Sequence, residues 1–276
     1  EIEEVALDVA DSLHPDPVRA GELYGVVSGS SILLTEHIEP YLSSQDLEPK
    51  TIDMKRHDIE RFCTKFRFSE VVSNRAVIEW VEDDLIGGQG LSPATCRRIV
   101  SAVRGYWNYL QRRHSSNLPY PFVDVVPKAK KKTKQEVRDT RKHFCPDDYK
   151  KLLDAVDDAD TQLSDLIKLG AYTGCRIEEL CSLKLEQVSD DRFKIEDAKS
   201  EAGWREVPIH SNIRQLVARL RDESKDGYLL SGLTFNKYGD RSNAIGKRFG
   251  RLKAKCGYGR DHVFHSFRKG VATQLE

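Results

Sequence analysis

The sequence predicts a mainly α-helical chain in two globular blocks, the second of them interrupted by a small β-hairpin. Three observations predict it. Apolar residues recur at helical spacing from about Leu34 to Val126 and again beyond His143. A proline-broken and then strongly basic stretch separates the two runs. Within the second run, residues 192–196 and 205–210 read as two short strands, with residues 197–204 as the polar loop between them.

The elements follow in order. Residues 1–34 hold seven acids (Glu1, Glu3, Glu4, Asp8, Asp11, Asp16, Glu22) against the single base Arg19, and read as an acidic arm or the remnant of a preceding domain. Thr35 begins a first helix carrying Ile38, Tyr41 and Leu42. Thr51-Ile52-Asp53 opens a second, with Ile52, Ile59, Phe62 and Phe66 apolar. Val77, Ile78, Trp80, Val81 and Leu85 mark a third, before Gly87-Gly88-Gln89-Gly90. Ser92-Pro93 reads as an N-cap followed by proline at the first helical position, opening a fourth helix through Ile99, Val103, Tyr106, Trp107 and Leu110. Four helices in about ninety residues make a compact bundle, assigned here to residues 35–127.

Pro119, Pro121 and Pro127 then break the chain. The linker, residues 128–142, holds eight bases, among them Lys128, Lys130, Lys131, Lys132 and Lys134, against Glu136 and Asp139. Such a run is either a solvated connection or a track for phosphates. The second domain, residues 143–276, opens with a helix from Pro146 through Leu152 and Val156. A second helix carries Leu163, Ile167 and Ala171 and ends near Gly174; a third starts around Arg176 and carries Leu180 and Leu183. After the strand pair, helices are expected beyond Asn212, from Asn243 to Lys255, and from Phe264 onward.

A length of 276 residues suffices for two cores. With 39% hydrophobic and 32% charged residues, and no apolar run near the roughly 20 residues that span a bilayer, a membrane protein is not expected. The formal net charge of zero argues against nucleic acid only as an average, because the acidic arm masks the basic linker in the sum. The six cysteines form no CxxC pair, which fits reduced thiols in a cytoplasmic chain.

Two phrases carry the reactive residue types. Thr173-Gly174-Cys175-Arg176-Ile177-Glu178-Glu179-Leu180 places an arginine at a helix start, where anions are favoured, with Glu179 one turn on. His265-Ser266-Phe267-Arg268 spaces a histidine and an arginine by three, so that on a helix both reach one phosphate. Between them Lys199 lies in the strand-pair loop, with Lys194 and Arg205 close in sequence. His262 lacks carboxylate or thiol partners at ligand spacing, so no metal site is expected.

In this order, the motifs resemble the active site of the tyrosine recombinases, the phage-integrase family, over roughly residues 35 to 276. The resemblance implies a helical core-binding domain followed by a mixed α/β catalytic domain. It implies a site-specific recombinase or integrase of a phage or other mobile element, acting on duplex DNA as a homotetramer on paired sites and needing no cofactor. Arg176 and Arg268 would hold the non-bridging phosphate oxygens, two guanidinium forks suiting that charge. His265 would assist, Lys199 would protonate the leaving 5′-oxygen, and Glu179 would orient Arg176.

The family's nucleophile is a tyrosine that follows the second arginine. Here all ten tyrosines, Tyr172, Tyr238 and Tyr258 among them, precede His265. The expectation is a catalytic domain incomplete at its C-terminus, with the tyrosine beyond Glu276, that binds DNA and does not cut it. The alternatives are a Xer-like or transposon recombinase, and a non-catalytic DNA-binding regulator with the same fold.

Overall fold

The computed structural model describes residues 24–25, 31–114, 118–128, 142–196 and 203–275, with side chains through Val271. The chain divides into two compact units, residues 1–131 and 132–276. The acidic arm lies almost wholly outside the described residues, and so do Lys130, Lys131, Lys132, Lys134 and Lys199. No helix among the described residues is long and apolar enough to cross a membrane.

The first unit is a helical bundle. Helix α1 spans Ile38–Ser43 and α2 spans Pro49–Lys65. Helix α2 starts two residues before the expected Thr51, because Pro49 with its fixed φ already serves as the first helical residue after Glu48. Helix α3, Asn74–Glu79, begins at Ser73, whose hydroxyl accepts the Ala76 amide at 3.1 Å. It runs directly into a π-helical stretch, Trp80–Gly88. Gly87 and Gly88 therefore lie inside the helical path, and the Gln89 amide bonds to the Asp84 carbonyl five residues back at 3.0 Å. Helix α4, Pro93–Arg113, starts as expected: the Ser92 hydroxyl accepts the Thr95 amide at 3.2 Å.

Phe62, Trp80, Trp107 and Phe122 meet edge-on or tilted at the centre of this core. The proline segment after α4 belongs to the bundle. Phe122 and Val125 are buried, the Trp107 indole donates to the Pro119 carbonyl at 2.9 Å, and Asn74 donates to the Pro121 and Val123 carbonyls. These side-chain donors satisfy the segment's carbonyls, so it works as a strap over the core.

The second unit is built around a buried helix. Helix α5 spans Pro146–Asp154, and its Asp148 carboxylate accepts the Cys145 amide at 2.8 Å. Helix α6 spans Thr161–Thr173, with Asp160 capping the Leu163 amide. Helix α7 is one short turn, Ile177–Cys181, and Leu183 falls beyond it. Strands β1, Arg192–Ile195, and β2, Arg205–Pro208, pair antiparallel with Ile195 opposite Arg205. Helices α8, Arg214–Glu223, α9, Ser242–Lys255, and α10, Ser266–Leu275, complete the unit. The chain is mainly α with a two-stranded sheet, as the periodicity predicts.

Leu166, Ile167 and Leu169 of α6 are fully buried, and α5, α7, α9 and α10 all pack on that helix. The approach of Phe264, which leads into α10, is close. A Cβ on Gly170 would stand 2.5 Å from the Phe264 ring. Alanine at 170 would gain about 1 kcal/mol in helix propensity. Overpacking a buried ring costs about 1–3 kcal/mol, and this contact is severe enough to win. Gly170→Ala is therefore expected to lower the thermal midpoint by several degrees; an unchanged or raised midpoint would show that Phe264 is free to move away.

Candidate active site

The turn between α6 and α7 is fixed by its own residues. The Thr173 hydroxyl donates to the Leu169 carbonyl at 2.7 Å and accepts the Cys175 amide at 3.2 Å. Gly174 ends α6 in the left-handed region at φ 60°, which only glycine adopts without strain. A Cβ there would also reach to 3.4 Å from the Arg268 Cα and the Val271 Cβ. Helix α10 thus runs close against this turn.

That closeness brings Arg268 to the turn that leads into Arg176. Arg176 occupies the N-cap of α7, two residues after Gly174, and Arg268 donates to the Gly174 carbonyl at 3.2 Å. The Arg268 guanidinium and the Arg176 backbone, far apart in sequence, therefore meet at one turn. Arg176 is held by Glu179: its backbone amide donates to Oε2 at 2.7 Å, and its Nη1 donates to Oε1 at 2.6 Å. The Arg176 side chain remains 53% exposed while that of Glu179 is 5% exposed, so the cation faces outward from a buried carboxylate.

Glu179 has a second partner that the sequence motifs do not name. Arg205 of β2 clasps both its oxygens, Nη1 to Oε1 at 3.1 Å and Nη2 to Oε2 at 2.6 Å. Arg205 also donates to the Gly203 carbonyl and lies 3.7 Å from the Cys175 sulfur. Burial pushes the Glu179 carboxyl up. The bonds from Arg205 and from the Arg176 amide and side chain outweigh it and bring it down to about 2. Burial pushes the Cys175 thiol up, so this sulfur is a poor nucleophile.

The neighbouring acid does different work. Glu178 accepts the Arg241 and Ser242 amides at 2.8 and 2.9 Å, which caps α9, and the Ser182 hydroxyl at 2.5 Å. The fully buried Arg241 fans out to the Cys181 and Leu230 carbonyls and Asp226, with its guanidinium 3.6 Å from the Tyr228 ring centroid. Both are structural residues that fix where α7 and α9 meet.

His265 stands at the entry to the last helix. Helix α10 begins at Ser266, so His265 is the exposed residue at the position just before it, three residues ahead of Arg268. A tight turn precedes the helix: the Ser266 amide bonds to the Val263 carbonyl at 2.8 Å, and its hydroxyl accepts the Val263 amide at 3.1 Å. His262 is buried against Phe144 and Tyr258, with Nδ1 3.1 Å from Asp261. Among the described residues no group of three or more His, Cys, Asp or Glu side chains is placed to hold a metal ion.

Lys199 and the linker lysines 130, 131, 132 and 134 fall outside the described residues; Lys128 is exposed. The flanks of the Lys199 loop are in place: it leaves β1 after Ile195 and returns through Gly203 to Arg205. Gly270, beside the second motif, packs on the start of the unit, where a Cβ would stand 3.1 Å from the Phe144 carbonyl oxygen.

A helical unit followed by a unit with this turn, hairpin and terminal helix is an arrangement shared with proteins of known structure. Residues 142–276 match the phage integrase family, and this unit belongs to that family of site-specific recombinases. Solved structures share the fold. A lambda integrase dimer bound to a COC′ core site aligns over 96% of this chain and 75% of its own, at 16% identity and a TM-score of 0.66. The Tn1549 transposon integrase in complex with transposon right end DNA aligns over 88% and 86%, at 18% identity and 0.64. A lambda integrase tetramer bound to a Holliday junction aligns over 86% and 71%, at 16% identity and 0.66. No curated protein sequence matches the chain.

The Glu179 cluster predicts an acid profile. The folded carboxyl lies near 2 against an ordinary value of 4.5, so its contribution is complete above about pH 4.5 and fades as pH falls toward 2. Glu179→Gln should cost about 1.5–3 kcal/mol at pH 7, the range for hydrogen bonds to a charged group. Urea unfolding between pH 7 and 3 should show the gap between the two proteins narrowing below pH 4.5; a constant gap would mean that the charge on Glu179 is not what stabilises.

Proposed function

We propose that the chain binds duplex DNA through both units and that Arg176 and Arg268 hold the phosphate at which strands are exchanged. The observation that supports this is the Gly174 turn, whose carbonyl accepts the Arg268 guanidinium and which leads two residues later into Arg176. Two planar cations on one phosphate neutralise the charge that builds on its non-bridging oxygens when an alcohol attacks. A tyrosine hydroxyl is the attacking group in this chemistry and forms a 3′-phosphotyrosyl link, which conserves the bond energy for rejoining without a cofactor. Lys199 fits the role of acid toward the leaving 5′-oxygen, on a loop whose return strand is tied to the arginine cluster through Arg205. His265, exposed at the start of α10, fits a supporting contact.

The charge pattern supports DNA as the partner. Helix α4 carries five arginines and no acid, and α9 carries five bases and no acid. Some of these are internal: Arg98 pairs with Asp58, and Lys253 donates to the Gly259 and His262 carbonyls. Arg97, Lys247, Arg251 and Lys255 are exposed. Residues 35–127 and 143–276 are taken as the core-binding and catalytic domains, and the lysine-rich linker as a further phosphate contact. Structural relatives solved on core-site DNA and as a tetramer on a Holliday junction favour a homotetramer on paired sites. The transposon integrase among them keeps a transposon recombinase beside a phage integrase as the element served.

Binding to duplex DNA should weaken steeply as salt rises, and Lys247→Ala or Arg251→Ala should each flatten the log–log slope by about 0.9. Salt-insensitive binding would remove DNA as the partner. In protein expressed from its full reading frame, Arg176→Ala or Arg268→Ala should cut covalent adduct formation on nicked duplex by roughly 100-fold or more while leaving most DNA binding. Undiminished adduct in either variant would take that arginine out of the site.

A further inference from the structure

Arg205 is tied to the Arg176 site more tightly than a strand residue needs to be. Its guanidinium engages both oxygens of Glu179, at 3.1 and 2.6 Å, while Arg176 engages one of them through its side chain at 2.6 Å. Three charges are involved, two cations and one buried anion. A carboxylate with 5% of its side chain exposed must be matched by partners, because water does little for it there. With Arg205 present, that match comes mainly from the hairpin side, and Arg176 can turn its charge outward.

We infer that Arg205 is a positioning residue: by neutralising Glu179 from the hairpin, it leaves the Arg176 guanidinium available to a phosphate. The inference rests on the phosphate-holding role proposed for Arg176 and extends it. Removing Arg205 would leave Glu179 with Arg176 as its charge partner. The carboxylate would then take both edges of that guanidinium, and the net positive charge facing the phosphate would drop by one. Lysine at 205 would restore charge but not the two-pronged geometry, since an ammonium is a point donor. The same contact fixes the hairpin, because Arg205 stands opposite Ile195 at the mouth of the loop bearing Lys199.

The prediction separates this role from simple support. Removing the carboxylate as well should repair the defect. In the double variant Glu179→Gln, Arg205→Met, Arg176 has no anion to neutralise it, and the summed charge of Arg176, Glu179 and Arg205 returns to that of the native site. A merely structural Arg205 would make the double variant worse than either single one.

The experiment is a titration of the chain with inorganic phosphate, followed by the 15N and 1H signals of the arginine side chains, on the native protein, Arg176→Ala, Arg205→Met, Arg205→Lys and the double variant. Circular dichroism melts confirm folding of each. The expected result is a roughly tenfold loss of phosphate affinity in Arg205→Met and a smaller loss in Arg205→Lys, with recovery to within about threefold of native in the double variant. If the native chain binds no phosphate, or Arg176→Ala binds it as well as native, the phosphate role of Arg176 fails and this inference with it. If Arg176→Ala loses binding while Arg205→Met keeps it, or the double variant fails to recover, only the positioning role falls. If Arg205→Met does not fold, Arg205→Lys decides: native affinity in that variant overturns the requirement for a two-pronged contact.

Discussion

The site depends on one buried carboxylate. Glu179 sits beneath Arg176, accepts its backbone amide and its guanidinium, and is clasped by Arg205 from the hairpin. Two stretches of chain that share no helix or sheet are joined through it: the turn after α6 and the return strand of the hairpin. An ion cluster of this kind is a weak source of net stability, since desolvation offsets much of the attraction. Its value is geometric. A surface arginine on a five-residue helix would sample many rotamers, whereas this one is anchored at both its backbone and its head.

Around that anchor the fold supplies close backbone contacts. The left-handed Gly174 and the approach of α10 to it set the distance between the two motifs. An aromatic cluster of Phe144, Phe249, Phe264 and Phe267, joined by His262 and Tyr258, seats the start of α10 on the unit's core. Further support comes from Lys142, whose backbone and side chain both bond to Asp261. The position of Arg268 is therefore the sum of packing on one side and a single carbonyl contact on the other.

Much of the architecture was legible in the sequence, for identifiable reasons. Ser92-Pro93 and Pro146 are local signals, and local signals predicted helix starts well. The strand pair was visible through its period of two. The start of α2 was placed at Thr51, two residues late, while the true signal was Pro49. The proline segment looked like a breaker, yet it closes the first core, since burial of Phe122 and Val125 is a tertiary fact. At the candidate site, Arg176, Glu179 and Arg268 could be named from their motifs, and His265 falls just before the helix it was read as starting. Arg205 was noticed only as a neighbour of Lys199. Its pairing with Glu179 crosses 26 residues and a loop, and no periodicity records that.

The neighbouring Glu178 shapes what α9 can offer to an anion. A helix N-terminus is ordinarily an attractive seat for a phosphate, with amides pointing outward and a favourable dipole. Here Glu178 has already taken the Arg241 and Ser242 amides at that end. The end of α9 is thus closed to outside anions by the protein's own acid. What the helix offers instead is its flank, where Lys247, Arg251 and Lys255 stand exposed. A polyanion would lie along α9 rather than abut it, and its register would be set by side-chain spacing on the helix instead of by one fixed backbone point.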